Sequence, residues 1–211
     1  MTAREARIAE IVGAVARQAL ADRGAQRIAL LDDGGPEAAL AARMLASTLG
    51  VDAVLRVTVD EGEMESVLHA APQVSGDRAA EEMRRMKARL VEHSIPAHPA
   101  SKTALLLGGE LPPEPLLPLG DLWASEVAEL AGAWSGPPDA TMAASLLGGV
   151  EALDEALRGL VDRRDPSALD ALPREVAWVV TGALERGRPS RLHPRIVPKI
   201  GARTLGVDLF D

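Results

Sequence analysis

The chain has 211 residues, 47% of them hydrophobic, carries a formal net charge of −8 and contains no cysteine. That length suits one domain with a full core, and the acidic balance argues against nucleic acid as the main partner, which would need a surplus of Lys and Arg on one face. Without cysteine there are no disulfides, thiolate metal sites or cysteine nucleophiles. No apolar run reaches the roughly 18 to 20 residues that span a bilayer, and the N-terminus lacks a signal-peptide pattern, so a cytoplasmic protein without membrane contact is expected.

In chain order, Ile8, Ile11, Val12, Val15, Ala16 and Ala19 recur at helical spacing and predict an amphipathic helix ending near Gly24. The run Ile28 to Leu31 reads as a buried strand. Ala38, Leu40, Ala41, Met44 and Leu45 mark a helix that stops at Gly50, and Ala53 to Val59 makes a second strand. Strand, helix and strand in close succession form a βαβ unit, which implies parallel pairing.

Between the first strand and its helix lies Asp32-Asp33-Gly34-Gly35-Pro36-Glu37. Pro36 suits a first helical turn, because its missing N–H would be unpaired there anyway. Backbone N–H groups at such a turn form a general anion site, at the carboxyl end of a strand where open α/β sheets bind ligands. Asp32, Asp33 and Glu37 oppose an anion there unless a divalent cation or a basic side chain intervenes.

Further on, residues 77–93 predict a charged helix whose Arg84, Arg85, Lys87 and Arg89 read as a solvated face. The prolines in 94–101 make that stretch a poor central strand. Residues 122–134 return to helix, Gly136-Pro137-Pro138 is a linker, and 143–186 read as helices broken at Asp165-Pro166 and Leu172-Pro173. Trp123, Trp134 and Trp178 fall in helical patterns and are expected to anchor the core. The four histidines show no ligand spacing.

The run Lys102-Thr103-Ala104-Leu105-Leu106-Leu107-Gly108, then Leu117-Pro118-Leu119-Gly120-Asp121-Leu122-Trp123 and Glu126-Val127-Ala128-Glu129-Leu130-Ala131, resembles the ammonia-dependent NAD synthetases. Leu153-Asp154-Glu155-Ala156-Leu157 and Pro198-Lys199-Ile200-Gly201-Ala202-Arg203-Thr204-Leu205-Gly206 extend the resemblance over nearly the whole chain. It implies an α/β protein with a parallel sheet flanked by helices on both faces, of the adenine nucleotide α-hydrolase (ATP-pyrophosphatase) type. The single domain would divide into a βα core over 1–135 and a helical part over 136–211, and the protein would be a homodimer. The implied ligands are ATP with Mg²⁺ and an adenine dinucleotide, and the implied reaction is amidation of nicotinic acid adenine dinucleotide through an adenylate.

The same resemblance assigns Asp33, Gly34, Gly35, Pro36, Glu37, Ala38, Lys102, Thr103 and Lys199 to nucleotide binding, with Glu37 and Asp121 as metal ligands; no residue is assigned to catalysis. Against the family's Ser-Gly-Gly-x-Asp-Ser, the stretch Asp33 to Ala38 keeps the glycines and loses both hydroxyl donors. Ala104 stands where the family has a metal-binding Glu, Ala124 where it has a Lys, and Met142 to Gly148 where it has an acidic loop. A methyl group cannot coordinate Mg²⁺, which demands oxygen. These losses point to a degenerate member with little or no catalysis. Two alternatives stay open: an active synthetase with substituted ligands, and a non-catalytic dimeric nucleotide-binding or scaffold protein. For Asp121 a helix N-cap competes with a ligand role, and for Lys102 and Thr103 a solvated Lys and a helix-start Thr compete with phosphate contacts.

Overall fold

The computed structural model describes residues 2–58, 83–85, 87, 104–107, 115–136, 138–191 and 196–200. Helix α1 (Ala3–Asp22) opens with a capping box: Glu5 N–H donates to Thr2 Oγ1 at 3.1 Å, and Thr2 N–H donates to the Glu5 carboxylate at 3.3 Å. Ile8, Ala9, Val12, Ala16 and Ala19 form its buried stripe. Helix α2 (Pro36–Leu49) lies tightly against it. A Cβ on Gly13 would stand 2.2 Å from the Thr48 side chain, whose hydroxyl donates to the Ala9 carbonyl at 3.2 Å. Only glycine permits that approach.

Strand β1 (Arg27–Asp32) is buried from Ile28 onward on both faces, as expected of a central strand. Gly50, at φ 89°, stops α2, and after a short 3₁₀ turn β2 (Val54–Thr58) pairs parallel to β1 with Ile28 opposite Val54 and Asp32 opposite Thr58. The predicted βαβ unit is present.

Beyond it the sheet departs from the all-parallel arrangement. Strand β3 (Ala104–Leu107) runs antiparallel to β1, and β4 (Pro115–Leu116) antiparallel to β3, in the order β2-β1-β3-β4. The short connection from Leu107 to Pro115 explains the second reversal, since antiparallel neighbours accept a brief link whereas parallel ones need a dozen or more residues. With β3 reversed against both neighbours, β1, β2 and β4 all point the same way. Their carboxyl ends meet at one edge of the sheet. The architecture is thus a helix-flanked α/β fold whose described sheet is mixed.

Helices α3 (Ala124–Ala131), α4 (Pro138–Leu147), α5 (Val150–Val161) and α6 (Arg174–Arg191) follow, with a 3₁₀ turn at Pro166–Leu169 where the Asp165 carboxylate accepts from Ser167 N–H at 3.0 Å. One apolar core joins α1, β1 and α2 to Leu116, Leu119, Leu122 and Val127; a second joins Ala143, Leu153, Leu160, Val176, Val179 and Val180. Trp134 packs against both. Trp123 is buried as expected, but Trp178 is 77% exposed. Val176, Val179 and Val180 claim the inward face of α6, and helical periodicity turns residue 178 to the opposite side. Of the predicted helix over 77–93, Met83, Arg84, Arg85 and Lys87 are helical and the remainder lies outside the described residues, as does 94–101.

Glu5 ties three helices together. Arg43 Nη2 approaches its carboxylate at 2.6 Å and Nε donates at 2.8 Å, while Arg43 also reaches the Leu130 carbonyl at 3.4 Å. The hydrogen bond from Arg43 holds the Glu5 carboxyl below the usual carboxylate range, against the opposing effect of burial. A depressed native pKa stabilises the fold above the unfolded value of about 4.3 and is lost as pH falls through the native value. Glu5→Gln is therefore expected to lower stability at pH 7 by about 1 kcal/mol and to flatten the acid limb of the profile. Urea melts of both proteins from neutral pH into acid check this; parallel profiles would show that Glu5 contributes nothing through its charge.

Candidate functional site

The glycine turn at the end of β1 brings Asp33, Gly34, Gly35, Pro36, Glu37 and Ala38 together as the sequence suggests. Gly34 adopts φ 79°, a left-handed conformation that favours glycine, and Gly35 precedes α2 with Pro36 in its first turn. The amides needed by an anion are already engaged. Gly34 N–H donates to Asp32 Oδ1 at 3.1 Å, and Gly35 N–H donates to Asp33 Oδ1 at 3.1 Å. These are successive Asx turns, in which each aspartate bends the backbone onto its own carboxylate. The turn carries its own anions.

Asp32 is 7% exposed, and its second oxygen meets Arg56 Nη2 of β2 at 2.6 Å. The guanidinium stands where a cation would neutralise the turn. Glu37, aligned with a metal-binding Asp in the resemblance, is wholly buried. Its Oε1 accepts from Ser135 N–H at 2.6 Å and its Oε2 from Ser135 Oγ at 2.9 Å. Both oxygens are thus engaged by a residue of the linker between the two cores.

Asp121 and Lys199 also meet. Asp121 follows β4, is 2% exposed, and accepts from Ile200 N–H at 2.6 Å through Oδ2; Lys199 Nζ lies 3.9 Å from Oδ1. Strand direction places this pair on the same edge of the sheet as the glycine turn. β3 lies between β1 and β4, so those two strands are about 10 Å apart at the usual spacing of neighbouring strands. Asp121 does not cap α3. That task falls to Asp154 of α5, fully buried, whose carboxylate accepts from Ser125 N–H at 2.7 Å and Ala124 N–H at 3.3 Å. Arg158, one turn further along α5, stacks over Trp123 at 5.1 Å. Lys102 and Thr103 lie outside the described residues.

The donor set does not fit Mg²⁺ or a pyrophosphate at the turn. Mg²⁺ needs carboxylate oxygens open to it, whereas Glu37 is clasped by Ser135 and Asp32 is shared between Gly34 and Arg56. Among the described residues no group of three or more His, Asp or Glu side chains is placed to hold a metal ion. Sequence reasoning missed Arg56, Ser135 and Asp154 as partners. Arg56 is a lone charge within a strand and Ser135 sits in an unpatterned linker, so neither carries a sequence signal. Asp154 belongs to a motif match without a role of its own.

The fold and the site define a helix-flanked α/β protein with a self-capped glycine turn at its carboxyl edge. Comparison with family models, with curated proteins and with solved structures returns no match.

Because both Glu37 oxygens are bonded inside the protein, Glu37→Ala is expected to cost about 2 to 3 kcal/mol by stranding the Ser135 amide, with Glu37→Gln costing less. Urea unfolding without metal measures this. A ligand-only carboxylate would give an alanine variant as stable as the parent, or more so.

Proposed function

We propose that this chain is a NAD synthetase-like protein in which the nucleotide turn has become a structural element and synthetase catalysis is lost. One observation carries the reading: Gly34 and Gly35 direct their N–H groups to Asp32 and Asp33. An incoming phosphate would have to displace carboxylates that are covalently part of the same turn, and it would then lie beside their negative charge. The bonds from Ser135 to Glu37 support the same reading, since a metal would have to win that carboxylate from two donors. The reversed β3 lends no such support: a parallel sheet is what the resemblance implies, and an antiparallel strand between β1 and β4 departs from it.

On this reading the protein serves as a non-catalytic scaffold, and dimerisation through a family-like interface belongs to the proposal. Catalysis on this fold must be argued from the site and not from the fold alone.

The test combines ligand binding with turnover. A ligand that binds only the native state at 100 times its Kd would add about 2.7 kcal/mol of stability. The melting temperature is expected not to move with millimolar ATP and Mg²⁺, and no NAD is expected from the deamido dinucleotide, ATP and ammonia. NAD formation would overturn the proposal and establish an active synthetase with substituted ligands. A thermal shift without turnover would instead make the chain a nucleotide-binding scaffold.

A further inference from the structure

We propose that residues 196–200 form a releasable strap, bridged to the sheet at Ile196, that Asp121 latches at the sheet's carboxyl edge. Ile196 N–H donates to the Pro115 carbonyl at 3.0 Å and Leu117 N–H donates to the Ile196 carbonyl at 2.9 Å, so Ile196 makes a parallel bridge to Leu116 of β4. At its other end Ile200 N–H donates to Asp121 Oδ2 at 2.6 Å, with Lys199 Nζ 3.9 Å from Oδ1. Pro198, between them, has no N–H to add.

The seat is shaped for this segment. A Cβ on Gly120 would stand 3.1 Å from Val197 Cγ1 and 2.9 Å from Leu117 Cβ, so glycine leaves the space that Val197 approaches. Ile196 and Ile200 pack against the main core, which includes Leu116, Leu119 and Leu122. The strap follows α6, which belongs to the second core, and so returns the chain from the helical part to the sheet.

The latch follows from the chemistry of Asp121. A carboxylate that accepts a backbone N–H makes a charge-assisted hydrogen bond, stronger than a neutral one. Asp121 is 2% exposed, so that bond is made away from water while the strap is seated. When the strap leaves, both the carboxylate and the Ile200 amide gain water, so opening proceeds as one local unit without loss of the β1 core.

Amide hydrogen exchange on the full chain tests this. In Asp121→Ala, exchange at Ile200 and Leu117 is expected to rise by about tenfold or more, the equivalent of one charge-assisted hydrogen bond, while Leu30 in β1 keeps its protection. Asp121→Asn, which retains an oxygen acceptor, should restore much of the protection. Unchanged exchange at Ile200 in the alanine variant would overturn the latch, and so would equal loss at Ile200 and Leu30, which would make Asp121 a global fold residue. Should the alanine variant fail to fold, Ile196→Pro decides the matter by removing the N–H bonded to Pro115 at the far end. Faster exchange at Ile200 with Asp121 intact supports a strap that moves as a unit, and retained protection there overturns it.

Discussion

Asp32 and Glu37 reach the end of β1 with little access to water, and each must find its hydrogen bonds within the protein. Buried carboxylates are tolerated when paired and bonded, and are costly otherwise. That requirement organises the region around the turn. Asp32 takes the Gly34 amide and Arg56, which fixes β2 beside β1; Glu37 takes Ser135, which fixes the linker between the two cores against the start of α2. Trp134, next to Ser135, then packs on both cores at once.

The same solution recurs elsewhere in the molecule. The backbone amides that begin α3 are taken by Asp154 from α5, which docks the helical part on the βα part through a helix terminus. Helix starts attract anions because their first amides have no intrahelical partner and the dipole favours negative charge. Here the protein supplies that anion from its own side chain at α3, and in the turn just before α2 Asp32 and Asp33 take the Gly34 and Gly35 amides. A turn that reads in isolation as an open phosphate cradle is closed by carboxylates from its own loop, and the acidic character that made the sequence puzzling is what closes it.

The mixed sheet has a related consequence. Reversing β3 leaves β1, β2, β4 and the strap with a common direction, so the glycine turn and the Asp121 region share an edge even though the sheet is not parallel throughout. The carboxylates there have partners of their own: Lys199 faces Asp121, and Arg56 faces Asp32.

The sequence by itself determined the local elements and their order. Apolar spacing marked α1, β1, α2 and β2; Gly50, Asp165-Pro166 and Leu172-Pro173 marked where elements stop, because glycine and proline restrict backbone geometry wherever they occur. The turn and its six residues were equally legible, as contiguous residues need no tertiary information to be neighbours. Tertiary structure alone decided what those residues bond to. Asp33 and Gly35 are two residues apart, but Glu37 meets Ser135 across 98 positions, Asp121 meets Ile200 across 79, and Ala124 meets Asp154 across 30. The direction of β3 was also undecided, since an apolar run such as 104–107 reads the same whichever way it pairs. So was the outward turn of Trp178, which follows from which face of α6 the second core happens to bury. A carboxylate's role as ligand, cap or clasp depends on which donor reaches it, and the folding of distant segments sets that.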